Sequence, residues 1–315
     1  MKLSDFDYCL PKELIAQYPL KERQKAKLLV VNRKKESLEH RSFEEITEYL
    51  KKDDLLVLND TKVLCCRLIG RKATGGKVEI LLTKRKTGSN FEALIQPNRT
   101  KVGEKVFFNG GAILGVISAR GEISFKPQDA ENIYNIGQVP LPPYIRREPE
   151  ELDKQYYQTV YAAKEGAIAS PTAGLHFTEE LIKKIEACGV GIAYLTLHVG
   201  LGTFRPVKSE DIQQHKMDKE YFKVSPLAVE RIEKARLAKS RIIAVGTTSL
   251  RALEAYALGL KEGYTDLFIY PGYKFKIADC LLTNFHLPKT TLFILVCAFG
   301  TEKLMKKAYQ EAIDQ

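Results

Sequence analysis

The sequence predicts an α/β main domain interrupted by an inserted all-β, barrel-like domain, and three observations carry that reading. Short β-type runs follow one another between Lys77 and Lys126, strand and helix signals alternate on either side of them, and a proline-rich segment closes the insertion. At 315 residues the chain is long enough for two domains of roughly 100–200 residues each. Hydrophobic residues make up 44% and charged residues 28%, which excludes a disordered, collagen-like or coiled-coil chain.

In chain order, Ser42 followed by Glu45 is a capping-box signature, and Phe43, Ile46 and Leu50 recur at helical spacing, so a helix is expected over about 43–52. DLLVLND (54–60) reads as a buried strand. KVEILLT, NFEALIQ, KVFF, AILGVIS and EISFK then suggest a small antiparallel barrel or sandwich, and Pro140, Pro142, Pro143 and Pro149 mark its far edge. Beyond this linker Thr178 opens a helix that Gly189 can close, and Ser225-Pro226 caps LAVERIEKARLAK. RIIAVG (241–246) reads as a strand, TTS as a tight loop and LRALEAYAL as a helix ending at Gly259; DLFIY and TLFILVCAF extend the alternation. The expected division is residues 1–67 with 151–315 as the α/β domain, and 68–150 as the insertion.

The longest apolar stretch, Leu292 to Phe299, is far short of the roughly 20 residues that span a bilayer, and the acids of MKLSDFDYCLPKEL do not suit a signal peptide. A cytoplasmic protein without membrane association is expected. Six cysteines, with Cys65 and Cys66 adjacent and no CxxC spacing, read as reduced and mostly buried thiols. Lys plus Arg (49) exceed Asp plus Glu (39) by ten, which favours a polyanionic partner and also serves plain solubility. The excess is spread over Lys21 to Lys27, Arg33 to Lys35, Lys84 to Lys86, Arg146/Arg147, Lys274/Lys276 and Lys306/Lys307.

Two features carry chemistry. The strand-GTTS-helix of Arg241 to Arg251 feeds a helix N-terminus, whose free N–H groups and positive dipole end suit a carboxylate or phosphate. Thr247, Thr248 and Ser249 add hydroxyls and Arg251 a guanidinium, although Thr248 or Ser249 as a plain helix cap explains the pattern equally well. Then SPTAGLHF (170–177), TLHVGLGTF (196–204) and LLTNFHLP (281–288) each place a histidine beside Thr, Gly or Asn at an expected strand end, where α/β folds assemble sites. Gly174, Gly200 and Gly202 let backbone approach a ligand, or serve turns. A metal-dependent hydrolase using His176, His198, His215 or His286 with Asp218, Glu220 or Asp279 is the rival, without the ligand spacing that would support it.

DFDYCLPKELIAQYPL, DLLVLNDTKVLCCRLIGRKATGGKVEILL, VPLPPYI, YQTVYA, GAIASPTAGLHFT, TLHVGLGTF, RIIAVGTTSLRALE and TDLFIYPGYKFKIADCLLTNFHLPKTTL together resemble the S-adenosylmethionine:tRNA ribosyltransferase-isomerase family of queuosine biosynthesis. The resemblance runs over nearly the whole chain. It implies a cytoplasmic enzyme with an α/β main domain and an inserted β-barrel, which transfers and isomerises the ribosyl part of S-adenosylmethionine onto 7-aminomethyl-7-deazaguanine at the tRNA wobble position. The products implied are epoxyqueuosine, adenine and methionine. It implies no metal and no separate cofactor, since S-adenosylmethionine is consumed, and the anticodon arm of tRNA as partner of an expected monomer.

Such chemistry needs a base for the proton on the 5′ carbon beside the sulfonium and a donor for departing adenine. His176 and His198 are the expected proton-handling residues, with Asn284 and His286 shaping the nucleoside pocket. The GTTSLR loop (Thr247, Thr248, Ser249, Arg251) is assigned to the methionine carboxylate or a tRNA phosphate, Asp60 and Lys62 to base or ribose. Thr172, Gly174, Gly200 and Thr203 are expected to line the substrate, and Lys84 to Lys86 to meet the anticodon arm. A tRNA-binding module on a degenerate enzyme scaffold is the alternative. Three departures stand out: His215-Lys-Met217-Asp218-Lys-Glu220 has Asp218 where the family has a second histidine, Ala26-Lys27 replaces Ser-Arg, and Cys65-Cys66 replaces Pro-Ala. The sequence also ends at Gln315, before the family's C-terminal Tyr-Arg-Phe…Gly-Asp-Ala-Met segment.

Overall fold

The computed structural model describes residues 1–126, 130–200, 202 and 207–315. The chain divides into two compact units, one of residues 1–62, 143–146 and 158–315, the other of residues 63–142 and 147–157. In the first unit strands Lys27–Asn32 (β1) and Ser37–Ser42 (β2) form an antiparallel hairpin. The capping box of Ser42 and Glu45 is present, but it opens a 3-10 helix, Phe43–Glu48, which is shorter and tighter than the expected helix. Leu55–Asn59 (β3) and the short Thr61–Val63 (β4) follow.

The second unit is a closed barrel of Arg67–Lys72 (β5), Lys77–Arg85 (β6), Asn90–Gln96 (β7), Lys105–Phe108 (β8), Ile113–Ala119 (β9) and Glu122–Lys126 (β10). All its pairings are antiparallel, in the order β10-β7-β6-β5-β8-β9. Alternate residues point inward, so Leu68, Val78, Ile80, Phe91, Val106, Phe108, Ile117, Ile123 and Phe125 are buried. Gly70 and Gly115 leave the room that the Phe108 ring fills: a Cβ on either would lie within 3 Å of it. The sequence drew the domain edge between residues 67 and 68, whereas Arg67 is the first residue of β5 and binds Glu79 and Glu148. The helix Asp153–Tyr156 (α1) closes this unit, its Asp153 paired with Arg147 at 2.6 Å.

The first unit resumes with Lys164–Ala167 (β11), Glu179–Ala187 (α2), Gly191–Leu197 (β12), Glu220–Val224 (β13), Pro226–Leu237 (α3), Ile242–Val245 (β14), Thr247–Ala257 (α4), Glu262–Thr265 (β15), Cys280–Leu282 (β16), Thr291–Gly300 (α5) and Glu302–Asp314 (α6). Its main sheet runs β15-β13-β12-β3-β14-β16. The four strands β12, β3, β14 and β16 are parallel, and β13 and β15 are antiparallel additions at one side. Thr178 and Ser225 cap α2 and α3 through their hydroxyls as expected. TTS is the first turn of α4 rather than a loop, because Gly246 makes the whole turn at φ 90°. TLFILVCAF is helical, capped by Thr290, and DLFIY lies outside any strand.

Helices on both faces explain why β3 reads as an unbroken apolar run. Leu55 and Val57 face the core shared with α3, α4, α5 and α6, while Leu56 and Leu58 face Phe43, Phe177, Leu181 and Ile185. The N-terminal segment is fastened to the C-terminal helix by aromatic packing. Tyr8 stacks obliquely on Phe293 and edge-on to Tyr309, its hydroxyl donates to the His286 carbonyl, and the His286 N–H donates to Tyr309 Oη at 3.1 Å. The His286 ring is hydrogen-bonded to Thr283 Oγ1 at 3.0 Å, and burial pushes its pKa down to about 4. Of the six cysteines only Cys66 and Cys297 are fully buried, fewer than the sequence suggested, and all six are free thiols.

Truncating Leu56 to Ala should cost about 2–5 kcal/mol, whereas Leu237→Ser on the exposed end of α3 should stay within about 0.5 kcal/mol; urea denaturation separates the two. Because unfolding restores His286 to about 6.5, its share of stability is whole above that pH and is lost as pH falls toward about 4. Denaturation midpoints should therefore drop between pH 7 and pH 5, and His286→Gln should flatten that drop; an unchanged slope would show that the ring titrates normally.

Candidate active site

The polar motifs gather at one place because the parallel strands all end there. The C-terminal ends of β12, β3, β14 and β16 carry His198, Asn59-Asp60-Thr61, Gly246 with the start of α4, and Thr283-Asn284. In open α/β sheets, ligands bind in the crevice at such ends. Asn59, which the motifs of the sequence do not single out, ties the row together. Its Nδ2 donates to the Leu197 carbonyl at 2.9 Å and to Thr248 Oγ1 at 3.2 Å, and its Oδ1 accepts from the N–H groups of Leu197 and Thr61. A wholly buried amide ending an apolar strand is the signal that marks it.

His198 is held on three sides. Its Nδ1 is hydrogen-bonded to Thr61 Oγ1 at 2.8 Å, its ring stacks on Tyr221 at 5.5 Å, and its backbone N–H donates to the Tyr221 carbonyl. Gly166, at φ 150°, presses against the ring: a Cβ there would fall 2.6 Å from Nε2. Burial lowers the pKa of His198, opposed by the neighbouring Asp60 carboxylate. Asp60 in turn accepts from Thr196 Oγ1 at 2.6 Å, while burial raises its pKa against the pull of Lys164 and His198.

His176 stands at the other end of the row. It closes a 3-10 helix, Thr172–His176, rather than a strand, and is hydrogen-bonded through Nε2 to Asn284 Nδ2 at 2.9 Å, across 108 residues of sequence. Burial depresses its pKa, opposed by a backbone hydrogen bond with Arg23. Oδ1 of Asn284 is buried without a partner. The strand ends that bear His198 and Thr283-Asn284 are three strands apart, about 14 Å at the usual spacing.

The remaining expected site residues divide. Thr247, Thr248 and Ser249 are buried in the first turn of α4, and Thr172 is half-buried beside Ala173, which approaches Gly246. Gly200 gives its N–H to Glu220 Oε1 at 2.9 Å. The space at Gly174 is filled from within the protein, since a Cβ there would lie 2.0 Å from the Tyr161 hydroxyl. Lys62 makes a surface ion pair with Glu165. His286 belongs to the Tyr8–Tyr309 packing, and Thr203 lies outside the described residues.

Arg251 is only partly committed within the protein: its buried guanidinium bonds the buried Glu220 carboxylate through Nη1 and the Leu267 carbonyl through Nε at 3.1 Å, while its Nη2 is buried without a partner. Helix geometry accounts for these partners. Positions 249 and 251 are about 200° apart around α4, so Arg251 leaves the strand ends for β13. Within the barrel unit, Lys86 is paired with Glu122, and Arg85 lies 6.0 Å over the Phe91 ring.

Among the described residues no three His, Cys, Asp or Glu side chains cluster in a way that could hold a metal ion, and no helix is long and apolar enough to cross a membrane. A family model described as "Queuosine biosynthesis protein" matches residues 3–315. A Sulfurihydrogenibium S-adenosylmethionine:tRNA ribosyltransferase-isomerase is 51% identical over all of this chain and 96% of its own length. The protein of that name from Halothermothrix orenii is 48% identical over 99% and 95%. The crystal structure of the S-adenosylmethionine tRNA ribosyltransferase from Thermotoga maritima superposes with a TM-score of 0.56 at 36% identity, covering 98% of this chain and 94% of that one. With the strand-end row, the full-length match and these relatives in agreement, the chain belongs to the S-adenosylmethionine:tRNA ribosyltransferase-isomerase family of queuosine biosynthesis.

Proposed function

We propose that this enzyme transfers and isomerises the ribosyl part of S-adenosylmethionine onto the aminomethyl group of 7-aminomethyl-7-deazaguanine at the wobble position of tRNA, and that His198 and His176 handle its protons. S-adenosylmethionine is consumed as a substrate, and no separate cofactor takes part. The observation that supports the assignment of roles is the strand-end row itself, with a desolvated histidine at either end and Asp60 between them. A sulfonium acidifies the adjoining 5′ carbon, so a neutral imidazole beside it can remove that proton. His198 is suited to be that base, because burial keeps it neutral, Thr61 and Tyr221 fix its plane, and the Asp60 carboxylate stabilises the imidazolium formed. His176 with Asn284 suits the nucleobase, since the unpartnered Asn284 Oδ1 can accept from an exocyclic amine as adenine departs. The net charge of +10 attracts the phosphates of the anticodon arm.

Adenine release from S-adenosylmethionine, measured with and without tRNA bearing the aminomethyl-deazaguanine base, tests the activity directly. Release that requires the modified tRNA, with a matching mass gain on the tRNA, is the expected result; tRNA binding without release would favour a binding module instead. His198→Ala should lower turnover by roughly 10²–10⁴-fold with tRNA affinity kept, and wild-type rates would remove it from the mechanism. The pH profile gives a second check. A base whose pKa burial holds below 6.5 loses activity only when protonated, so kcat/KM should stay level from pH 8 down to about 6.5 and fall below it. An acid limb centred above pH 7 would exclude His198 as the base.

A further inference from the structure

We infer that the first turn of α4, with the hydroxyls of Ser249 and Ser170, is the subsite for the carboxylate of the amino-acid end of S-adenosylmethionine. The inference rests on the proposed use of that substrate and assigns one end of it to named donors. Three observations carry it.

First, α4 begins at Gly246 without any side-chain cap, so its leading N–H groups have no side-chain acceptor. The cap position is a glycine, which has no side chain to supply one, and the nearby Thr248 hydroxyl is engaged by Asn59 Nδ2. Second, Ser249 is fully buried and its Oγ has no partner. As the third residue of the helix, it has a Cα–Cβ bond that slopes toward the N-terminus, which carries the hydroxyl toward the unfilled amides. Third, Ser170 is 6% exposed and its Oγ is also without a partner. It lies on the segment whose Ala173 comes within 3.7 Å of where a Cβ on Gly246 would stand.

A buried hydroxyl left unbonded costs about 1–3 kcal/mol, so two of them near one uncapped helix start point to a ligand that supplies acceptors. The positive end of the helix dipole selects an anion among acceptors. The protein's own buried carboxylates nearest in the fold are committed elsewhere, Glu220 to Arg251 and Gly200, Glu254 to the N–H groups of Lys276, Ile277 and Ala278. Gly246 donates to the Leu282 carbonyl at 2.7 Å, which sets this subsite against the last residue of β16. A phosphate of tRNA shares the chemistry of this subsite, and the experiment separates the two sources.

Titration calorimetry of wild-type, Ser249→Ala and Ser170→Ala proteins with S-adenosylmethionine, with its decarboxylated analogue and with tRNA makes the distinction. Each variant should bind S-adenosylmethionine roughly tenfold more weakly, while the decarboxylated analogue and tRNA bind all three proteins alike. Thermal midpoints should stay level or rise, because the deleted hydroxyls have no partner in the folded protein, and a serine with a structural role would lower them instead. Unchanged affinity for S-adenosylmethionine in both variants overturns the subsite while leaving the proposed activity standing. Weakened tRNA binding with intact S-adenosylmethionine binding overturns it in favour of a phosphate. A wild-type protein that binds no S-adenosylmethionine overturns the functional reading as well.

Discussion

Asn59 uses every position its amide offers. Two hydrogen bonds run to the backbone of Leu197, one to the Thr61 N–H and one to the Thr248 hydroxyl. The Leu197 carbonyl can only accept and its N–H can only donate, so the backbone itself fixes which way the amide faces. The ends of β3 and β12 and the start of α4, far apart in the chain, are thereby registered against one another at a point with no access to solvent. Every candidate group on those elements inherits its position from this node. His198 follows Leu197, Asp60 and Thr61 follow Asn59, and Ser249 follows Thr248. An aspartate here would turn an acceptor toward the Leu197 carbonyl and bury a charge, which explains why an amide serves where a carboxylate of the same size would not.

The charges around the row follow the same economy of partners. Arg251 and Glu220 are both almost wholly buried, and each is bonded to the other. Glu220 uses its second oxygen for the Gly200 N–H, so the pair anchors the start of the glycine-containing loop after β12 to α4. The histidines are treated in the opposite way. None that lies near the strand ends is given a buried carboxylate as a direct hydrogen-bond partner; His198 has a hydroxyl, His176 an amide and a backbone group, His286 a hydroxyl. Desolvation therefore wins, and it lowers the pKa of all three.

Much of this was legible in the sequence, for reasons that differ by element. The barrel runs were readable because alternation and turn residues are local signals, and the capping residues Thr178 and Ser225 because a cap acts within three residues. The three histidine motifs were readable as a group because polar residues interrupt apolar strands only where something holds them. Their partners were not. The contact of His176 with Asn284 spans 108 residues and that of Thr61 with His198 spans 137, distances at which no periodicity carries information. The partner of Arg251 was equally hidden, because its carboxylate lies 31 residues upstream on an antiparallel strand that the α/β alternation does not announce. Gly166 opens the GAIASPTAGLHFT block, but nothing in that block announces the His198 ring pressed against it.

The position at which this chain departs from its family bears on which histidines matter. Where the resemblance leads one to expect a second histidine stands Asp218, whose carboxyl group packs against Gly202, close enough that a Cβ on that glycine would fall 2.7 Å from Oδ2. Its charge also reaches His215, whose ring meets Phe268 edge-on, and it opposes the desolvation that lowers the pKa of that ring. A carboxylate there can hold a loop and tune a neighbour, but it provides no imidazole with which to pass a proton at that place. The two histidines of the strand-end row face no such objection, since both are present, desolvated and held by partners fixed to the Asn59 node or to the segment beside it. That holding is what suits the row to the proton transfer proposed above, while Glu220 fixes Gly200 just after β12.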